Sequence, residues 1–281
     1  MTTLKAKELL QNNLTIPSLP TIVIEAERLL NDPKAGTKEL GALIAQDAPI
    51  TAKVLRIANS AYYGMAEPCV STEQAAAVLG MRVLRNVLTQ AAVINQFAHL
   101  RGVNGFDIDE IWRHSIATGH VCATLAKRCK TPLNLTPEEF YVCGLLHDLG
   151  KIVMLSSLGE DYIKVIQQAK QDGVPLQRAE DTEFGFNHTD VGSVVATRWN
   201  LPEDVARAIQ FHHGPREAVE NDPVVSLVAN ANLLVNRVSH INMLSAGLVF
   251  DEGTCAQLGL DLKDMDEIVA ITQESLSTAD V

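Results

Sequence analysis

The segment Gly144-Leu145-Leu146-His147-Asp148-Leu149-Gly150-Lys151 decides how this 281-residue chain is interpreted. An imidazole and a carboxylate at adjacent positions can bind the same divalent metal ion. A His-Asp pair also arises by chance, so its meaning depends on the rest of the chain. Further histidines precede and follow it at positions 114, 188, 212 and 213. The pair therefore marks a candidate metal site with ligands from several segments.

The composition is that of a globular protein with a large buried core. Hydrophobic residues make up 47% of the chain, and its formal net charge is −11 at pH 7. An acidic chain repels the phosphates of nucleic acids at long range, so we expect no direct nucleic-acid binding. No run of about 18 apolar residues is present, and we expect no membrane-spanning helix.

The termini and the cysteines favour a cytoplasmic protein. The first eight residues lack the apolar core of a secretion signal. The number of cysteines is odd, and no Cys-x-x-Cys pair occurs, which indicates reduced thiols without a disulfide framework or a thiolate zinc site. These cysteines are Cys69, Cys122, Cys129, Cys143 and Cys255.

The hydrophobic pattern is helical almost throughout and predicts an all-α protein, an orthogonal helical bundle. The strongest helix start is Thr136-Pro137-Glu138-Glu139, with a capping threonine and a proline in the first turn. We predict that this helix passes through His147-Asp148 and ends at Gly150. The linker at 101–105 predicts a helical subdomain at 1–101, a helical bundle carrying the site at 106–240, and a helical appendage with an acidic tail at 241–281.

Several polar residues lie on apolar helix faces. His114 shares a face with Ile111 and Val121, and Asn232 lies among valines on another helix. His212 is placed in the same way. A buried asparagine without partners costs about 1–3 kcal/mol, so we expect these polar groups to meet one another. Alternatively, an inward histidine is an ordinary hydrogen-bonded core residue, and a histidine in the last helical turn favours the helix dipole. We assign that structural role to His99, His120 and His240.

The chain resembles the HDOD proteins, a divergent branch of the HD-domain superfamily that includes the HD-GYP proteins. The resemblance spans roughly residues 14 to 240, and its most specific N-terminal part is the run at 55–64, Leu-Arg-Ile-Ala-Asn-Ser-Ala-Tyr-Tyr-Gly. The other matching segments are 17–20, 31–33, 43–47, 145–151, 186–192, 199–202 and 212–213.

The resemblance implies a site that binds a divalent metal ion (Fe, Mn, Ni, Zn or Mg) or has lost it. The HD pattern of a first His, a His-Asp pair and a late Asp is met by three residues and broken at Asn232, a weak or lost ligand. The HD-GYP pattern adds further histidines and a lysine. The implied metal ligands are His114, His147, Asp148, His188, His212, His213 and the weak Asn232, and the implied catalytic residues are Asp148 and Lys151. The Gly-Tyr-Pro segment of the HD-GYP branch is absent, since residues 214–217 read Gly-Pro-Arg-Glu.

Two functions follow from this resemblance. The first is a signalling or regulatory module with a damaged HD site that binds a partner protein or a small signal, with Asn59–Gly64 as a candidate contact region. The second is a metal-dependent phosphohydrolase, in which the metal polarises phosphoryl oxygens and Lys151 steadies phosphate or water. Direct nucleic-acid binding ranks third because of the acidic charge.

Overall fold

The structure, a computed structural model, describes residues 16–59, 67–100, 106–214, 221–239, 259 and 268–274. Within these ranges the chain is helical and has no β-strand, which confirms the all-α prediction. A 3-10 turn at Ala98–Leu100 and a helical segment at 268–274 accompany the main helices. The main helices are α1 (Thr21–Leu30), α2 (Thr37–Ile44), α3 (Ala48–Ala58), α4 (Thr72–Gln96), α5 (Ile108–Arg128), α6 (Pro137–Leu146), α7 (Leu149–Leu158), α8 (Glu160–Asp172), α9 (Leu176–Phe184), α10 (His188–Arg198), α11 (Glu203–Phe211) and α12 (Pro223–Ser239).

The chain forms two compact units. One comprises the described residues of Pro17–His99, and the other comprises the described residues from Leu100 onwards together with Ile16. The predicted boundaries near 101, 106 and 240 fall on or beside residues outside the described ranges. The three-part division of the chain therefore stays a prediction.

The unit at Pro17–His99 contains α1 to α4. Its core is formed by small and aliphatic side chains, among them Leu40, Ile44 and Leu84. The helix α4 is broken at Gly80, whose φ of 75° and ψ of 161° are accessible to glycine but rarely to other residues. Directly after α3, the side-chain amide of Asn59 donates to the Cys69 carbonyl oxygen at 2.9 Å and accepts from the Cys69 backbone amide at 2.6 Å. These two hydrogen bonds join Asn59, which directly follows α3, to Cys69, which lies three residues before α4.

The larger unit is built on the close packing of α5 against α6. A Cβ atom at Gly144 would lie 2.7 Å from Cys122 Sγ and 2.8 Å from Gly119 Cα, so the two helices touch where they cross. The start of α6 is the predicted capping box, in which Glu139 Oε2 accepts from the Thr136 amide at 2.7 Å. This packing carries the C-terminal end of α6 to the middle of α5.

The predicted end of α6 at Gly150 is wrong. The helix ends at Leu146, and α7 begins at Leu149, so Gly150 lies in the first turn of a second helix. A Cβ atom at Gly150 would collide with the His188 carbonyl oxygen and lie 2.9 Å from the Gly192 amide nitrogen. The glycine is therefore needed for the close approach of α7 to α10. Its residue type alone wrongly indicated the end of a helix.

One helical stretch, Pro137–Leu158, is long and apolar enough for a membrane span by length and composition. It consists of α6 and α7, and 67% of its most apolar window is buried inside the protein. A second candidate, Thr72–Met81 with Val83–Gln96, meets the test only as a pair bent by 111°. We interpret the stretch at Pro137–Leu158 as a pair of core helices, because it carries the buried His147 and Asp148.

Candidate metal site

The ends of four helices and the middle of two others bring the candidate ligands together. His147 and Asp148 form the turn between α6 and α7, while His188 is the first residue of α10. His212 and His213 follow α11 directly. His114 and Asn232 lie within α5 and α12. The structure brings these side chains together: the histidines gather around Asp148, and Asn232 lies beside His114.

Asp148 is the centre of the cluster. Both of its carboxylate oxygens face histidine Nε2 atoms, and its side chain is completely buried. Oδ2 lies 3.2 Å from His147 Nε2 and 3.5 Å from His114 Nε2. Oδ1 lies 3.4 Å from His212 Nε2 and 3.6 Å from His188 Nε2. These separations suit a shared cation, since ligands about 2.1 Å from a tetrahedral metal are about 3.4 Å apart.

The backbone fixes two of the imidazole rings. His147 Nδ1 lies 2.6 Å from the Gly144 carbonyl oxygen, and His212 Nδ1 lies 2.9 Å from the Ile209 carbonyl oxygen. A carbonyl oxygen only accepts, so each Nδ1 carries the proton. A neutral imidazole has one N–H, and each Nε2 therefore directs its lone pair towards Asp148. This is the tautomer that a metal ligand requires.

A buried carboxylate fixes the third ring. Glu180 Oε2 accepts from His188 Nδ1 at 2.6 Å and from the His188 backbone amide at 2.9 Å. Its other oxygen, Oε1, accepts from the Tyr162 hydroxyl at 2.5 Å. All three side chains are buried. Burial and the charge of Glu180 raise the pKa of Tyr162 well above its usual range, so the hydroxyl remains a donor.

Burial keeps two of the candidate ligand rings neutral. It lowers the pKa of His114 to about 3 and that of His212 to about 4, although Asp148 acts in the opposite direction on both. Burial alone would raise the pKa of Asp148, but the positive charge beside it, including the Lys151 ammonium 2.7 Å from Oδ2, holds the pKa well below its usual range. His114 and His212 are therefore neutral and Asp148 is ionised, which are the protonation states that bind metal.

The donor set fits a divalent metal ion. Three buried polar atoms of this site, Asp148 Oδ1, His188 Nε2 and His212 Nε2, have no hydrogen-bond partner. His213 completes a group with them in which one ligand atom from each residue lies within 4.8 Å of the others. A second such group consists of His114, His147 and Asp148. Unpaired acceptors around a carboxylate are unfavourable unless a cation or another donor joins them.

Asn232 occupies the place at which the resemblance implied an acidic ligand. It is buried beside His114, and hydrogen bonding between the two side chains raises the pKa of His114 against the effect of burial. Asn232 Oδ1 also accepts from Asn236 Nδ2 at 2.8 Å. The neutral amide therefore has protein partners, which fits its interpretation as a weak or lost ligand.

Lys151 was predicted to steady phosphate or water, but its ammonium group already has a partner within the protein. Its Nζ lies 2.7 Å from Oδ2 of Asp148, the residue that immediately precedes α7. The roles of Asp148 and Lys151 in catalysis, and of the histidines as ligands, stay predictions. Of the candidate contact region Asn59–Gly64, only Asn59 lies within the described residues.

Sequence reasoning missed Glu180 and Tyr162. A signal for Glu180 was present, because it lies four residues from both Leu176 and Phe184 and so shares their helix face. An acidic residue on the inner face of a helix needs a buried partner. No comparable signal marked Tyr162, which resembles any aromatic core residue.

Comparisons with known proteins agree with this architecture. The family model that matches the chain is that of the HDOD domain, over residues 16–215. An uncharacterized protein of Treponema pallidum (strain Nichols) is 31% identical over 221 residues. The match covers 78% of this chain but only 42% of the Treponema protein, so the chain spans less than half the length of that relative.

Solved structures share the fold. An HDOD domain protein of unknown function from Geobacter sulfurreducens has a TM-score of 0.82 and 25% identity, covering 100% of this chain and 98% of its own. A candidate phosphohydrolase from Shewanella amazonensis SB2B has a TM-score of 0.66 and 24% identity, covering 98% of both chains. The latter similarity shows the fold alone.

Proposed function

The chain belongs to the HDOD domain family, and from this premise we propose that it is a regulatory module that binds a divalent metal ion and responds to a partner protein or a small signal. The enclosure of Asp148 carries the proposal. Its carboxylate faces histidines on one oxygen, and histidines together with Lys151 on the other. A metal held there would be contained by the protein's own side chains, with little of its coordination left for a phosphate ester.

Metal binding at this site would join parts of the fold that are distant in the chain. The candidate ligands lie on α5, between α6 and α7, at the start of α10 and after α11. A ligand that binds only the folded arrangement stabilises it, by about 2.7 kcal/mol at a concentration one hundred times its Kd. Metal occupancy would thereby stabilise the arrangement of these helices relative to one another.

The test measures metal binding and turnover in the same preparation of the full chain. We expect Mn2+ or Zn2+ to raise the melting temperature, and a chelator to reverse the rise. We expect no metal-dependent hydrolysis of bis-p-nitrophenyl phosphate or of a cyclic dinucleotide above the rate of His147→Ala. His120→Ala is the matched control, since His120 lies on α5 outside the cluster. If metal leaves the melting temperature unchanged, the metal-binding module is rejected.

A metal-dependent phosphohydrolase is the second candidate. The number of imidazoles that converge on the Asp148 carboxylate favours it. A bound metal would polarise a phosphoryl oxygen and supply a nucleophile at neutral pH. Lys151 would then have to leave Asp148 to meet a phosphate. Metal-dependent turnover that His147→Ala abolishes and His120→Ala preserves would establish this function instead.

A further inference from the structure

The two oxygens of Asp148 have different surroundings. We propose that the chain binds a single metal ion, at Asp148 Oδ1 with His188, His212 and His213, and that the Lys151 ammonium takes the place of a second metal at Oδ2. This inference rests on the proposed metal-binding function and specifies how many ions that function uses and where. The inference assigns different roles to the two candidate ligand groups, Asp148 with His188, His212 and His213, and Asp148 with His114 and His147. Their distances to Asp148 alone do not distinguish them.

The Oδ1 side contains acceptors without a donor. His188 Nδ1–H donates a hydrogen bond to Glu180, and His212 Nδ1–H donates one to the Ile209 carbonyl oxygen. Both Nε2 atoms therefore present lone pairs to a carboxylate oxygen that has no hydrogen-bond partner either. Three lone pairs that converge at 3.4 and 3.6 Å without a proton between them form a coordination site for a cation.

The Oδ2 side is already neutralised by the chain itself. Lys151 Nζ donates to Oδ2 at 2.7 Å, so this oxygen already has a positively charged partner. His114 and His147 can satisfy each other, because their Nε2 atoms are 3.3 Å apart and His147 is an acceptor there. Asn232 adds no negative charge to this side. A divalent ion at Oδ2 would have to displace the ammonium or be repelled by it.

Metal stoichiometry tests the proposal directly. The full chain is saturated with Mn2+, freed of excess metal by gel filtration, and assayed for bound metal per chain. We expect one ion per chain, with the electron paramagnetic resonance spectrum of an isolated Mn2+. Two ions per chain, or a spin-coupled pair, would overturn the inference and leave the metal-binding function standing. No bound ion would overturn both.

A gain of metal provides a test that misfolding cannot imitate. The double variant Lys151→Met with Asn232→Asp removes the ammonium and supplies a carboxylate on the Oδ2 side. We expect it to bind two ions per chain. Lys164→Met is the matched control, because Lys164 pairs with Asp161 at 3.1 Å with the same three-residue spacing on the exposed face of α8. A double variant that still binds one ion contradicts the role given to Lys151.

Substitution on either side locates the ion. We expect His188→Gln to weaken Mn2+ binding by at least about tenfold, and His114→Gln to change it by less than about threefold, with His120→Gln as the control on α5. The anomalous signal of manganese in crystals of the unaltered chain gives the position without any substitution. An ion between His114 and His147, or the opposite order of the two effects, refutes the assignment.

Discussion

Glu180 Oε2 lies 2.6 Å from Nδ1 of His188 and 2.9 Å from its backbone amide nitrogen, so one carboxylate oxygen holds both the ring of His188 and the start of α10. Partners of this kind set the tautomer and direction of a ligating imidazole, and their loss typically costs 10-fold to 100-fold in metal affinity. Glu180 is therefore a positioning residue, because it acts on the site through the ring of His188.

Replacing this carboxylate should weaken metal binding without unfolding the protein. For Glu180→Gln we expect a loss of about 10-fold to 100-fold in Mn2+ affinity, since a neutral amide holds the His188 ring less strongly. Titration calorimetry measures the change. Glu183→Gln, on the exposed face of the same helix, should leave the affinity unaltered. Equal affinities for the two variants would show that Glu180 only fills space.

The buried hydroxyl of Tyr162 should contribute to stability. Tyr162→Phe removes the donor to Glu180 Oε1 and leaves a buried carboxylate oxygen without that partner. We expect the free energy of unfolding to fall by about 1–3 kcal/mol, as for other buried polar groups that lose a partner. Urea denaturation followed by circular dichroism gives the value. An unchanged midpoint at an unchanged slope would contradict this account of the hydrogen bond.

The contact of α7 with α10 should not tolerate a methyl group. In Gly150→Ala the new Cβ meets the His188 carbonyl oxygen, which is backbone and cannot rotate away. We expect a loss of at least about 3 kcal/mol in the free energy of unfolding, at the upper end of overpacking effects.

If the variant still folds, its metal affinity should also fall, because the helix that begins with His188 must move. Gly36→Ala is the control, since the nearest atom to its Cβ is the flexible end of Glu39 at 3.6 Å. We expect this change at a helix N-cap to cost less than about 1 kcal/mol.

Arg207 should modestly stabilise the connection between α11 and the start of α12. Its Nε donates to Asp222 at 2.7 Å and its Nη2 to Asp204 at 2.7 Å, joining α11 to the residue before α12. The side chain is 35% exposed, so solvent weakens these ion pairs. We expect Arg207→Ala to cost about 1 kcal/mol at low salt and less at high salt. Arg198→Ala, an exposed arginine on α10, is the comparison, and equal losses would exclude a specific role for Arg207.

The sequence predicted local features well. The capping box at Thr136 could be predicted because a helix cap depends on residues only a few positions apart. The inward faces of α5 and α12 were readable for the same reason, and they identified His114 and Asn232 as members of one cluster.

The misinterpreted glycine shows where local reasoning fails. Gly150 has the residue type of a helix stop, but its role is set by the His188 carbonyl, 38 positions along the chain. Glu180 was overlooked because its partners, Tyr162 and His188, lie on other helices. The spacing of neighbouring residues can show that Glu180 faces inward, but it does not show which distant residue either Gly150 or Glu180 meets.

The sequence by itself determined the all-α fold, the family and the residues that gather around His147-Asp148. Only the tertiary structure decided what each oxygen of Asp148 meets. Lys151 reaches Oδ2, whereas His188 and His212 turn unpaired lone pairs towards Oδ1. This difference between the two oxygens arises where helices far apart in the chain cross. The direction of each hydrogen bond depends on how each ring is held, and residue identity does not specify that.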